Sequence, residues 1–84
     1  MGELTKLPNI GAAIERQLIE AGINNFEQLK QEGSRQAWLK IKAMDPSACL
    51  NRLYCLEGAI QGVKKTMLPQ ETRAALKEFY NLHK

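Results

Sequence analysis

Residues 45–62, DPSACLNRLYCLEGAIQG, carry the strongest helix signal in the sequence. Asp45 and Pro46 form a helix start signal, because an acidic side chain caps the first amides and proline is tolerated in the first turn. The apolar residues that follow cover more than half of a helical circumference, and a helix that is apolar nearly all round is buried. We therefore predict that the longest helix runs over about 47–62 and forms the central post of an all-α domain.

Shorter helices are predicted on both sides of this post, separated by turn residues. Gly22 ends the first helix, Gly33 breaks the chain after the second, Ser34 caps the third, and Pro69 precedes the last. No stretch alternates between apolar and polar residues for long enough to form a strand. The sequence thus predicts a compact five-helix bundle whose second helix is very short. The predicted helices span 12–21, 26–31, 35–44, 47–62 and 70–82.

Length and composition are those of a small globular protein. The chain has 84 residues, of which 44% are hydrophobic and 25% are charged, which favours one folded domain over disorder. No apolar run approaches the ~20 residues of a membrane span, and no signal peptide opens the chain. We expect a single domain over residues 1–84, located in the cytoplasm and without a membrane partner.

The sequence offers no residues for catalytic or metal-binding chemistry. The only histidine, His83, is next to the C-terminus, and no nucleophile–base set or pair of acids accompanies it. Cys49 and Cys55 lie in one predicted helix, about 9 Å apart along its axis, which is too far for a disulfide. Their spacing also differs from that of a redox or zinc pair. We predict buried reduced thiols, no cofactor, no metal site and no enzyme activity.

Residues 7–11, LPNIG, predict a tight turn before the first helix. Asn9 and Gly11 are of the residue types that tolerate left-handed backbone angles, and Ile10 stands between them. Together with the helices that follow, this N-terminal segment resembles a helix-hairpin-helix element. Such an element holds nucleic-acid phosphates with exposed backbone amides and a helix N-terminus, and it does not read the base sequence.

Three segments in this order resemble the C-terminal domain of the TfoX/Sxy family. They are the LPNIG hairpin, LYCLEGAI over residues 53–60, and Leu68-Pro69 before the last helix. Family members are associated with competence and DNA transformation in bacteria. The resemblance implies a SAM-like bundle and an accessory role in that regulation. Full-length members also carry a separate N-terminal domain, so we expect a stand-alone C-terminal module, with an N-terminal-type domain of another chain as one partner.

Charge is unevenly distributed between the two parts of the chain. Residues 1–33 contain three basic and five acidic residues, which gives a net charge of −2. Residues 34–84 contain nine basic and four acidic residues, which gives a net charge of +5. The turn therefore lies in the acidic part, which opposes phosphate binding. The candidate residues for weak, sequence-independent DNA binding are Lys6, Asn9, Ile10, Gly11, Arg16, Arg35, Lys40, Lys42, Lys64 and Lys65.

A second interpretation assigns these features to structure alone. The turn then only packs the first helix onto the core, and the scattered lysines form a solvated surface. Ala12 and Ala13 stand where many DNA-binding hairpins carry Lys or Arg, and Trp38 is expected in the core. In this interpretation the function is protein binding, including self-association into a homo-oligomer, through apolar surface on the third or last helix.

Glu57 is a lone carboxylate inside the most apolar helix, where burial without a partner is costly. We expect it to brace a neighbouring element, with Lys64 or a backbone amide as its partner. Gly58 and Gly62, four residues apart, leave a small-residue face that another helix can approach closely.

Overall fold

The computed structural model describes residues 3–83, and within them the chain is helical without any strand. The all-α prediction is therefore confirmed. Of the predicted lead-in, residues 1 and 2 lie outside the described range, as does residue 84 at the other end. The described elements, in chain order, are a 3-10 turn Glu3–Lys6, helix α1 Ala12–Glu20, helix α2 Phe26–Met44, helix α3 Leu50–Gln61, a second 3-10 turn Lys65–Met67, and helix α4 Gln70–His83.

The described residues contain four α-helices, not the five predicted, because the expected second and third helices form one element, α2. Gly33 interrupts this helix with φ 85° and ψ 156°, a conformation that glycine adopts at little cost. The predicted break at Gly33 is therefore present as a non-helical kink between two helical segments that form one element. Ser34, expected as a helix cap, is buried, and its hydroxyl instead donates a hydrogen bond to Glu57 of α3 at 2.5 Å.

Helix α3 is central, as predicted, but it is shorter than expected. It has 12 residues, against 19 in α2 and 14 in α4. Asp45 does not cap it, because its carboxylate accepts hydrogen bonds from the Ser47 amide and hydroxyl, at 3.0 and 2.5 Å, and closes a separate turn. The helix therefore begins only at Leu50, with Cys49 as its N-cap residue.

Trp38 lies at the centre of the core and is fully buried, as predicted. Its Nε1 donates to the Cys49 carbonyl at 3.2 Å, which fixes α2 against the start of α3. Its ring meets the rings of Phe79 and Tyr80 edge-on, with centroids 6.1 and 5.6 Å apart. Edge-to-face contacts of this kind stabilise aromatic clusters beyond simple burial. Trp38 thereby joins α2, α3 and α4.

The prediction of two buried thiols is correct for only one cysteine. Cys55 is buried inside α3, and this burial raises the pKa of its thiol. Cys49 is exposed, because the late start of α3 leaves it at the helix edge. Both cysteines are free.

Candidate nucleic-acid interface

The predicted turn before α1 has a left-handed residue at Asn9 only, with φ 69°. Gly11 is extended, with φ −97° and ψ −178°, and it is the N-cap residue of α1. Ile10 is buried, and its amide donates to the Leu7 carbonyl at 3.3 Å. The Ile10 amide is thus already hydrogen-bonded within the turn.

The backbone at the start of α1 offers amides to a ligand. Gly11, Ala12 and Ala13 are exposed, and no side chain caps the helix at Gly11. The first amides of a helix have no partner within it and carry the positive end of its dipole. The part of the turn that suits an anion is therefore residues 11–13.

Asn9 connects this turn to the loop after α3. Its side-chain Nδ2 donates to the Val63 carbonyl at 3.0 Å, and its Oδ1 accepts from the Lys65 amide at 3.0 Å. The bonded residues are 54 and 56 positions apart in sequence. Sequence reasoning missed this contact. Its only signal was an asparagine, which has both a donor and an acceptor, at a position suited to left-handed backbone.

Gly58 provides the space for Asn9. A Cβ atom at Gly58 would lie 2.5 Å from Asn9 Nδ2 and 2.8 Å from the Val63 carbonyl oxygen, closer than such atoms can approach. The predicted small-residue face of α3 therefore receives a turn and a loop, not a helix. Gly62, the other glycine of that face, ends α3 in left-handed conformation, with φ 76°.

The contact with Asn9 places two lysines beside the turn. Lys65 comes two residues after Val63 in the sequence. Its Nζ donates to Asn51 Oδ1 at 2.7 Å. Lys64 lies between the two residues that Asn9 binds, and it is exposed. The backbone of two basic residues thus lies next to a turn in the acidic part of the chain, while the Lys65 ammonium is directed to Asn51 of α3.

Exposed carboxylates near the turn are fewer than the sequence count indicates. Glu15 of α1 is only 4% exposed, and Glu32 is paired with Lys40 at 3.1 Å. Lys6, at the end of the first 3-10 turn, and Arg16, on α1, are both exposed. Burial of Glu15 and pairing of Glu32 leave the number of acidic groups in this part of the chain unchanged, and Glu15 lies in the first turn of α1, close to the amides of residues 11–13.

The remaining basic candidates have partners in other parts of the described structure. The Arg35 guanidinium lies 5.9 Å from the centroid of the Phe79 ring, and Lys42 Nζ lies 5.5 Å from that of Trp38. Lys40 is engaged by Glu32 of its own helix. These contacts belong to α2 and α4, so the structure does not join the three residues to the turn.

Glu57 braces two helices, as expected, but its partners differ from those predicted. Its two carboxylate oxygens accept from the Ser34 hydroxyl and from Gln61 Nε2, both at 2.5 Å. Lys64 is not its hydrogen-bonding partner. Neutral donors from α2 and α3 thus satisfy both oxygens of the carboxylate, so the role of Glu57 is to hold these elements together.

Asp45 is the second polar junction of the fold. Its Oδ2 accepts from Gln17 of α1 at 2.9 Å and from Arg52 of α3 at 3.1 Å. The hydrogen bonds from Ser47, first from its hydroxyl and then from its amide, together with those from Gln17 and Arg52, hold the pKa of Asp45 well below its usual range. Asp45 therefore ties α1 and α3 to the end of α2 as an ionised group.

The described residues include no group of three or more His, Cys, Asp or Glu side chains that could hold a metal ion. His83 packs against Phe79, with ring centroids 4.3 Å apart. Over residues 3–83, no helix combines the length and apolar character needed to cross a membrane.

Comparison with known proteins identifies relatives over nearly the whole chain. The sequence profile of the TfoX C-terminal domain matches residues 1–80. Protein Sxy of Escherichia coli (strain K12) is 33% identical over 76 residues, which cover 90% of this chain and 36% of that protein. The DNA transformation protein TfoX of Haemophilus influenzae is 32% identical over 76 residues, 90% of this chain and 35% of that protein. The chain thus spans about a third of the length of these relatives.

Two solved structures from Listeria monocytogenes share the fold. An uncharacterised protein in a triclinic crystal form superposes with a TM-score of 0.93 at 43% identity, covering 94% of this chain and 90% of the other. A protein of unknown function in a tetragonal form gives a TM-score of 0.95 at 41% identity, covering 98% and 100%. The four-helix arrangement is therefore one that related proteins adopt.

Proposed function

This chain belongs to the TfoX C-terminal domain family, and from that premise we propose that it is a non-catalytic accessory module in the regulation of competence or DNA transformation. We further propose that it binds duplex DNA in the cytoplasm, weakly and without sequence preference. Support for the biological process comes from the relative named a DNA transformation protein. Support for DNA as the ligand comes from the geometry around the turn before α1.

The observation that carries the proposal is the hydrogen bonding of Asn9 to Val63 and Lys65. Through it, the backbone of the loop that carries Lys64 and Lys65 lies against the turn that leads into α1, and exposed Lys64 is the cationic side chain of this loop that is free to join the α1 amides in binding a phosphate group. Phosphate contacts of this kind position a protein on DNA, whereas contacts to base edges specify sequence. We expect low affinity because the surface engages few phosphates, and each of these contacts contributes about −0.9 to the slope of log K against log salt.

A salt titration with the substitution Gly11→Asp tests this site. Gly11 has ordinary backbone angles, and an added Cβ meets no atom within 4 Å. Aspartate is also a favourable N-cap residue, so the variant should fold. Its carboxylate would compete with phosphate for the amides. The matched control is Gly11→Asn, which adds a similar side chain without charge.

Binding is measured by fluorescence anisotropy of a labelled duplex, with circular dichroism to verify folding. We expect the wild-type protein to bind at low salt and to lose affinity as salt rises, with a slope of about −0.9 for each phosphate contact. Gly11→Asp should bind more weakly than Gly11→Asn. Absence of wild-type binding at low salt, or equal affinity of the two variants, would reject DNA binding at this turn.

A second candidate function is protein binding through the outer face of α4. Leu82 is 76% exposed there, and Phe79 is only partly covered. The expected occupants are a second copy of this chain or a separate TfoX N-terminal-type domain. Apolar docking, unlike phosphate binding, persists at high salt. A monomeric mass in light scattering at high salt, for wild type and Leu82→Glu alike, would exclude self-association through this face.

A further inference from the structure

We propose that Asn9 is the positioning residue of the DNA-binding surface. Its side chain holds the loop at 63–65 against the turn before α1, and so makes one anion-binding surface from two segments distant in sequence. The identification of the ligand as the phosphates of duplex DNA rests on the proposed function. The positioning of the loop rests on the contacts of Asn9 alone and is tested separately.

The chemistry of asparagine suits this role. Asn9 has a left-handed backbone, which asparagine tolerates better than most residues with a side chain. Its amide group both donates to a carbonyl and accepts from an amide on the same loop. Aspartate has no donor for the first of these bonds, and glycine has neither group.

The loop depends on Asn9 for two of its backbone hydrogen bonds. Val63 donates its amide to the Gly58 carbonyl at 2.9 Å, and the Lys64 carbonyl accepts from Met67 at 2.8 Å. The Val63 carbonyl and the Lys65 amide are bound by Asn9. Without that side chain, the backbone around Lys64 would lose its fixed position, although the charge of the protein would not change.

Hydrogen exchange of the Lys65 amide tests the positioning without any DNA. Asn9→Gly keeps the left-handed backbone and removes both hydrogen bonds, whereas Asn9→Asp retains the acceptor for the Lys65 amide. The matched control, Asn25→Gly, removes a side-chain hydrogen bond that caps α2 instead. Loss of one net hydrogen bond corresponds to about fivefold faster exchange.

We expect the Lys65 amide to exchange roughly fivefold faster in Asn9→Gly than in the control Asn25→Gly, and to be protected again in Asn9→Asp. A general loss of stability would instead accelerate exchange at many amides in both glycine variants. Unchanged exchange of the Lys65 amide in Asn9→Gly would overturn the proposal.

A double-mutant cycle then links Asn9 to DNA affinity. Asn9→Gly is combined with the charge-removing pair Lys64→Gln and Lys65→Gln, and each variant is titrated with labelled duplex. If Asn9 acts by presenting the lysines, Asn9→Gly should weaken binding in the wild-type background and much less in their absence. The loss of affinity in the combined variant should differ by at least about twofold from the product of the losses measured for its two component changes.

The outcomes separate the two proposals. If Asn9→Gly weakens DNA binding by the same factor with and without the two lysines, the role of Asn9 in presenting the lysines is rejected. If the wild-type protein fails to bind DNA at low salt, the proposed function and its phosphate ligand are rejected. The exchange rate of the Lys65 amide still decides in that case whether Asn9 positions the loop.

Discussion

Adding one methyl group at Gly58 should destabilise the protein, although alanine is normally the better helix residue. In the interior of α3, Gly58→Ala gains about 1 kcal/mol of helix propensity. The new Cβ would lie 2.5 Å from Asn9 Nδ2 and 2.8 Å from the Val63 carbonyl oxygen, so the turn and loop must move apart. Whether Gly58→Ala raises or lowers the free energy of unfolding therefore depends on which hydrogen bonds this movement breaks.

Three hydrogen bonds are at risk in that movement. Two join Asn9 to Val63 and Lys65, and the third joins the Val63 amide to the Gly58 carbonyl. At a net value of about 1 kcal/mol each, their loss costs about 3 kcal/mol. After subtracting the gain in helix propensity, Gly58→Ala should lower the free energy of unfolding by about 2 kcal/mol. For a domain of this size, the midpoint of thermal unfolding would fall by roughly 8–16 °C.

The assay is urea and thermal unfolding followed by circular dichroism. Gly11→Ala is the control, because its added methyl group meets no atom within 4 Å and should cost less than about 1 kcal/mol. Removing the Asn9 side chain first should reduce the effect of Gly58→Ala, since the closest contact is then absent. A Gly58→Ala protein as stable as the wild type, or more stable, would refute the close packing of Asn9 over α3.

Two further predictions concern ionisable groups. Hydrogen bonds, those of Ser47 foremost, lower the pKa of Asp45 from the 3.8 of a free side chain, so its stabilising effect is complete at neutral pH and is lost as the pH falls below about 4. The free energy of unfolding should therefore fall less on acidification in Asp45→Asn than in the wild type, and an equal fall in both proteins would contradict this. Because Cys49 is exposed while burial raises the pKa of the Cys55 thiol, Ellman's reagent should modify the native protein rapidly at Cys49 and slowly at Cys55. Equal rates at the two thiols in the folded protein would contradict the described burial.

The all-α class and the central position of α3 were predictable, because apolar periodicity and turn residues such as Gly22 and Pro69 are local signals. Four helices are counted where five were predicted, because the segments on either side of the non-helical Gly33 form one kinked element, α2, and residue type does not show whether a break leaves one element or two. The start of α3 was misplaced because Asp45 closes its own turn with Ser47. Both signals are ambiguous at the level of single residues.

The composite interface could be predicted only in part. The turn near Gly11 and the lysines at 64 and 65 were recognised as separate candidates. Their proximity depends on Asn9, whose partners are 54 and 56 residues away and leave no periodic trace in the sequence. Likewise, the burial of Glu15 follows from tertiary packing, which apolar periodicity does not reveal.

The most direct test of DNA binding at this composite surface is a nuclear magnetic resonance titration of the ¹⁵N-labelled protein with a short DNA duplex. At low salt, the account predicts that the backbone amide signals of residues 11–13 and of Lys64 and Lys65 shift together and return when salt is raised. Absence of any shift at low salt would contradict it. Shifts confined to the surface of α2 and α4 around Arg35 and Lys42 would contradict it equally.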